Sequence, residues 1–439
     1  MAERMRTARK FILTVLCMLS LVSAVSVASA ESISTIESNA SYHARRSFGT
    51  GLYDSTANKT FVTYSGPQMD VYVKAYNHAT ASWEPAVKVY DWDDSSTYAY
   101  HDYPTMVLLP DGKLGIFINN HATAAYLIKA PNTHSISGTW VRTQISSDLN
   151  AYPMPVISGS TIYYFYSKNN DQSYPYRTYR YIKSTDSGAT WSSPLTVIDT
   201  QKTNGQFDEV YAYGVAEKNG KIYITWSMSG GSGGHDHSSR HLYLAYLNTT
   251  DGAMYNVAGT TAGNVINTSD LASCLVTEAQ PLTTSSVYND RHPISNSAPS
   301  VAGDGTVVVG FGQQNTDGSG TKTIKLASFL NGAWSFQTVD TAASGFMDLV
   351  KSGSGAQQFD ILYSASQATV LVSKQTTNLG SSWTNLYTFN VPFSSNADTM
   401  VYANFIENRQ TVRVVGGTIN TSERQTDYTG KWNLFAVHQ

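Results

Sequence analysis

An all-β fold, a seven-bladed β-propeller of four-stranded antiparallel blades, is predicted by three features of the sequence. Short alternating runs are bounded by turn residues, a strand–turn–strand unit recurs seven times, and one turn motif appears twice. The runs Lys221-Ile222-Tyr223-Ile224-Thr225-Trp226 and Thr306-Val307-Val308-Val309-Gly310-Phe311 are flanked by Gly, Asn, Asp and Ser, as antiparallel strands and their turns are. Charged residues make up only 14% of the chain, tyrosines number 29, and no long helical periodicity follows the first thirty residues. The hairpin units lie at 46–64, 101–121, 152–166, 210–226, 298–311, 346–363 and 401–416. Most continue into a third strand and then an aromatic near a turn: Trp83, Trp140, Trp191, Tyr255, Trp334, Trp383 and Trp432. The seventh unit lacks an outer strand, so Ser32–Ser38 is expected to supply it and close the ring.

The repeated turn is Ser184-Thr185-Asp186-Ser187-Gly188-Ala189-Thr190-Trp191, the Asp-box pattern S-x-D-x-G-x-T-W, with a weaker copy from Thr376 to Trp383. An Asp or Asn side chain there holds backbone amides, Gly takes a positive φ, and Trp packs on the sheet. The motif stabilises a turn and carries no chemistry of its own.

At the N-terminus, Arg4, Arg6, Arg9 and Lys10 precede an apolar run from Phe11 to about Val27 that ends in Ala28-Ser29-Ala30, the pattern of a cleaved export signal. The expected mature chain, a single domain, begins near Glu31 and is secreted. The net charge is −3, and removing a leader of net +3 leaves about −6. General affinity for nucleic acid or anionic membranes is therefore disfavoured, and any acidic ligand needs a local cluster of Arg and Lys. Cys17 leaves with the signal and Cys274 stands alone, which excludes an intrachain disulfide. A monomer is the simplest assembly.

In such a fold the starts of the inner strands and the ends of the second strands open on one face. His101 opens the second inner strand and His121 ends its return strand. Pairing outward from Pro110 and Lys113 around the Asp111-Gly112 turn brings residue 101 opposite 122, next to His121. The next unit ends at Tyr166 and continues through Tyr176 and Arg177. Arg180, three residues on, falls on the opposite side of the strand. Two His, a Tyr and an Arg are thus expected to converge.

The blade pattern, the Asp-box and the run Tyr100-His101-Asp102-Tyr103-Pro104 … Asn119-Asn120-His121, with Tyr166 and Arg177, resemble the BNR-repeat polysaccharide lyases of the ulvan lyase type and related enzymes acting on rhamnosyl-glucuronate linkages. The resemblance implies β-elimination at a uronic acid O4-linked to rhamnose, on an acidic polysaccharide. In that chemistry the uronate carboxylate must be neutralised before its C5 proton can leave, a base takes that proton, and an acid protonates the departing O4. His121 or His101 suits the base, Tyr166 the acid and Arg177 the carboxylate clamp. Arg45, Arg46, Arg180, Tyr211, Arg291 and His292 are expected as further substrate contacts. No cofactor is needed for this chemistry. His235, His237, His241 and Cys274 are ligand types that suit a structural zinc, such as these lyases can carry, and Ca²⁺ has no legible loop. Two alternatives stay open: an α-L-rhamnosidase-like hydrolase, for which Asp208 and Glu209 are the rival acids, and an inert carbohydrate-binding propeller. A sialidase is disfavoured by the lack of an Arg-Ile-Pro segment.

Overall fold

A computed structural model describes residues 31–41, 51–91, 104–119, 122–171, 176–201, 208–230, 240–279, 293–294, 297–315, 319–365, 369–392, 399–406, 408–420, 424–426 and 429–439. The fold is all-β, with antiparallel hairpins succeeding one another along the chain. Each expected hairpin is present: Gly51–Asp54 with Lys59–Ser65, Thr105–Leu108 with Lys113–Asn119, Val141–Ser158 with Thr161–Asp171, Glu209–Lys218 with Lys221–Ser229, Ser300–Val301 with Val307–Gln314, Gly345–Lys351 with Phe359–Ser364, and Thr399–Phe405 with Val412–Asn420. The leading strand Ser32–Ala40 pairs antiparallel with the C-terminal strand Trp432–His438, which itself lies against Val412–Asn420. The N-terminal segment therefore supplies the missing outer strand of the last hairpin, as its sequence suggested.

Alternation of side chains explains how these sheets stack. Along Thr161–Asp171, Tyr164 and Tyr166 pack with Phe117 and Leu127 of the preceding hairpin, whereas Tyr163 and Phe165 pack with Tyr211 and Trp226 of the following one. The apolar clusters among the described residues are built mainly this way, from two successive strand groups. One of them joins Val62 and Tyr64 of the first group to Val415 and Trp432 of the last. The first strands of all seven hairpins line a common central cavity of about 580 Å³, to which Leu52, Met106, Val156, Val215, Ser300, Leu349 and Phe405 each contribute.

Two details position the functional region. Val141–Ser158 is 18 residues long because it is the last strand of one group and the first of the next, with register shifts between Gln144 and Asn150 that bulge Asp148 out of the ladder. The second hairpin pairs Thr105 with Phe117 and Leu108 with Leu114, one residue tighter than pairing outward from Pro110 and Lys113. Gly112 adopts φ +76° and donates to Leu109 O, so the loop is the three residues Pro110-Asp111-Gly112 rather than a two-residue turn.

Candidate functional site

Tyr166 is the central residue of a hairpin's second strand, Thr161–Asp171, which runs on past the end expected at Tyr166, and its ring is enclosed between Tyr164, stacked at 5.6 Å, and the Phe117–Ile182 cluster. Its hydroxyl donates to Asp148 Oδ2 at 2.7 Å. Arg180, directly across the ladder from Tyr166, donates to the same oxygen at 3.3 Å. Burial and the Asp148 carboxylate push the Tyr166 pKa well above that of an ordinary phenol, so the hydroxyl keeps its proton at any physiological pH. The side chains of Asp148 and Arg180 are 21% and 26% exposed, so this pair carries the buried phenol's hydrogen-bond network to solvent. Asn150 anchors the bulge from behind: its amide donates to Thr123 O and Asp148 O, and its Oδ1 accepts from Tyr164.

Arg177 occupies the other face of the same sheet. Strand alternation separates positions 177 and 180, so Arg180, not Arg177, meets Tyr166. Arg177 was expected to clamp a substrate carboxylate; instead its Nε lies 3.0 Å from Glu209 Oε1, with both side chains at most 3% exposed. Its guanidinium lies 4.8 Å from the Tyr211 ring and 5.9 Å from that of Tyr152. Burial opposes the charge, but the Tyr211 and Tyr152 phenols and the Glu209 carboxylate outweigh it and raise the Arg177 pKa. Arg177 N also donates to Asp208 O, and residues 177 and 209 form a parallel bridge, so the group ties two neighbouring hairpins together. Glu209, a rival acid in the sequence, is thereby engaged by Arg177, while Asp208 is buried beside it. Tyr211, expected at the substrate, is 5% exposed and belongs to this buried group.

His101, His121, Arg45, Arg46, Arg291, His292, His235 and His237 lie outside the described residues. The described strands end at Asn119 and resume at Thr123, and Thr123 pairs with Asn150, two residues from Asp148. Of the zinc candidates, Cys274 is buried and its thiol is pushed up to about 11 by burial, so in the absence of a metal it is a neutral thiol. His241 lies on the adjoining strand, where Tyr243 pairs with Leu275, and its Nδ1 accepts from Ala279 N at 2.9 Å. The sulfur and the imidazole are both donor types that zinc takes. No cluster of three metal-ligating side chains occurs among the described residues.

The two repeated turns fold alike. Asp186 accepts from Ser184 Oγ, Thr190 N and Thr190 Oγ1, which hold its pKa down to about 2, and Asn378 accepts from Thr376 Oγ1 and Ser382 N. Gly188 and Gly380 take φ +90° and +88°. Asp148, by contrast, was not anticipated from sequence. Its only signal is the polar run Ser146-Ser147-Asp148-Leu149-Asn150 that interrupts an otherwise alternating strand. Tyr152 also escaped notice; it holds φ +64°, a costly conformation for a bulky residue and one that structures concentrate at functional sites.

The arrangement is an all-β scaffold carrying a hydrogen-bonded Tyr–Asp–Arg group at a strand edge, and this fold recurs in solved polysaccharide lyases. The chain superposes on a polysaccharide lyase family 25 ulvan lyase bound to -[GlcA(1-4)Rha3S]- with a TM-score of 0.71 and 15% identity, covering 92% of this chain and 96% of that one. It superposes on the polysaccharide lyase Uly1 with a TM-score of 0.60 and 11% identity, covering 92% of each. The model of the BNR repeat-containing family matches residues 59–342, and the chain belongs to that family. In sequence it is 25% identical over 230 residues to a family 25 ulvan lyase of Pseudoalteromonas sp. (strain PLSV), covering 46% of each chain. It is 26% identical over 230 residues to an ulvan lyase of Alteromonas sp. (strain LOR), covering 46% of this chain and 47% of that one. The match thus spans about half the length of each of these relatives.

Proposed function

We propose that this protein is a secreted, monomeric polysaccharide lyase that cleaves an ulvan-like rhamnose–uronate polymer by β-elimination, on a single seven-bladed propeller. The observation that carries the reading is the likeness in sequence to two ulvan lyases, and the BNR repeat-containing family match at residues 59–342 takes in Tyr166, Asp148 and Arg180. The blade count is supported by the seven hairpins around one cavity and by the apolar cluster that joins the last group to the first. Export is supported by the sequence of the first thirty residues alone.

In the proposed step a histidine, His121 or His101, removes the uronate C5 proton. Its electrons form the C4–C5 double bond as the C4–O4 bond breaks, and O4 takes a proton from Tyr166. The two histidines are proposed from the sequence, since both lie outside the described residues. Arg180 takes the carboxylate-neutralising role for which Arg177 was the first candidate, because Arg180 lies beside the proton donor. The raised pKa of Tyr166 keeps its proton until a substrate oxygen replaces Asp148 as its acceptor. Arg177 and Glu209 hold the adjoining hairpins in position.

A structural zinc held by His237 and Cys274, with His235 and His241 close in sequence, belongs to the same proposal, and the chemistry does not pass through it. One observation favours a second reading: a Tyr bonded to a carboxylate also suits a hydrolase with Tyr166 as nucleophile. The product decides. Elimination leaves an ultraviolet-absorbing unsaturated uronate, and hydrolysis leaves a saturated one.

A further inference from the structure

Lys322 opens the strand Lys322–Leu330, in which Ile324 and Leu326 pack against Phe346 and Leu349 of the next hairpin. As an even-numbered residue it faces the same way, into the cleft between these two hairpins. Its Nζ lies 3.9 Å from where a Cβ would stand on Gly345, with Ser364 Oγ at 3.7 Å from that point. Gly345 is the first residue of the strand Gly345–Lys351, whose far half, Asp348 to Lys351, lines the central cavity, so the ammonium sits at the opposite end of that strand. This is the end from which the inner strands start, as Tyr152 and Tyr211 do on other hairpins.

Nothing among the described residues neutralises this charge. Other lysines are met by acids: Lys59 by Glu84 at 2.5 Å and Lys129 by Asp111 at 2.7 Å. The carboxylates near the Lys322 cleft are already engaged. Asp340 accepts from Tyr363 and faces Lys374, and both oxygens of Asp348 accept backbone amides, from Leu349 and Phe405. Ser364 Oγ donates to Gly345 O. Burial is accordingly the sole cause that shifts Lys322, and it lowers its pKa. The strand start itself is fixed by Asn315, which bonds Thr321, Thr323 and Thr341 O. A held, partly buried ammonium to which no described residue brings a counter-charge is costly unless a ligand supplies one.

We propose that Lys322 binds an acidic group of the polysaccharide, a sulfate or a uronate carboxylate, on the face where the inner strands start and on different hairpins from the Tyr166 group. The proposal rests on the ligand being an acidic polymer, but not on its being cleaved. Calorimetric Kd and turnover are measured with ulvan, desulfated ulvan and carboxyl-reduced ulvan for the parent, Lys322→Met and Lys322→Gln. The expected result is a Kd and KM about tenfold higher for both variants on intact ulvan, the scale of one hydrogen bond to a charged group. Their kcat stays within about twofold, and their melting temperature is equal or higher because a partly buried charge is gone. Whichever chemically altered polymer erases the difference between parent and variant identifies the group bound. If the parent binds without cleaving and the variants bind more weakly, the subsite stands and the lyase reading falls. Should either folded variant bind intact ulvan as tightly as the parent, or the parent bind none of the three polymers, the Lys322 subsite is overturned.

Discussion

Replacing Arg177 by Met removes the guanidinium from Glu209 in a site where its side chain is 1% exposed and two tyrosine rings lie close by. Removing one partner of a buried ion pair costs about 3–5 kcal/mol. With an unfolding entropy of about 2.1 cal/mol/K per residue, a domain of roughly 400 residues melts with about 0.85 kcal/mol/K, so that loss lowers Tm by roughly 4–6 °C. Because Arg177 N and the 177–209 bridge join two hairpins, the damage is to their docking, and turnover per folded molecule is expected to fall far less than for Tyr166→Phe. The double variant Arg177→Met, Glu209→Leu removes both charges and should recover most of the lost stability. Differential scanning calorimetry with turnover normalised to folded protein reads both quantities. A normal Tm with turnover abolished would place Arg177 on the substrate and refute its structural role.

Tyr166→Phe and His121→Ala are each expected to lower kcat by about 10²-fold or more, the scale of a positioned acid or base, measured by the growth of unsaturated product. Asp148→Asn removes the charge that helps hold up the Tyr166 pKa, so the alkaline limb of the kcat profile should move to lower pH, whereas an unmoved limb would separate Tyr166 from proton donation. Asp186 is held down to about 2 in the folded chain, below the ordinary unfolded value of about 3.9. Its turn is therefore stabilised above that value and loses the contribution as pH falls through about 2, so Asp186→Asn should narrow the Tm difference between pH 6 and pH 2 while sparing turnover per folded molecule. Elemental analysis should find about one zinc per chain, with Cys274→Ser lowering both zinc content and Tm; a stable, metal-free native protein would remove the zinc site.

The strands were legible because their cues are local. Alternation, glycine at turns and the recurring aromatic each act over a few residues, and even the pairing of Ser32–Ala40 with the C-terminal strand followed from an outer strand being absent elsewhere. The site was legible only in part. Tyr166 and Arg180 stand across a ladder, which a correct register alone reveals. The buried setting of Arg177 was not legible because a strand end gives no hint that Glu209, 32 residues on, arrives to pair with it. Asp148 enters through a bulge, and bulges leave little trace in composition. The Pro110-Asp111-Gly112 loop slipped the register of the described hairpin by one residue, since a Gly at positive φ serves two- and three-residue loops equally well.

The most direct test of the central claim follows ultraviolet absorbance and reducing ends together while purified protein acts on ulvan. Elimination predicts that absorbance from the C4–C5 unsaturated uronate rises in step with new reducing ends, and that Tyr166→Phe slows both equally. Reducing ends without absorbance would contradict elimination and establish hydrolysis in its place.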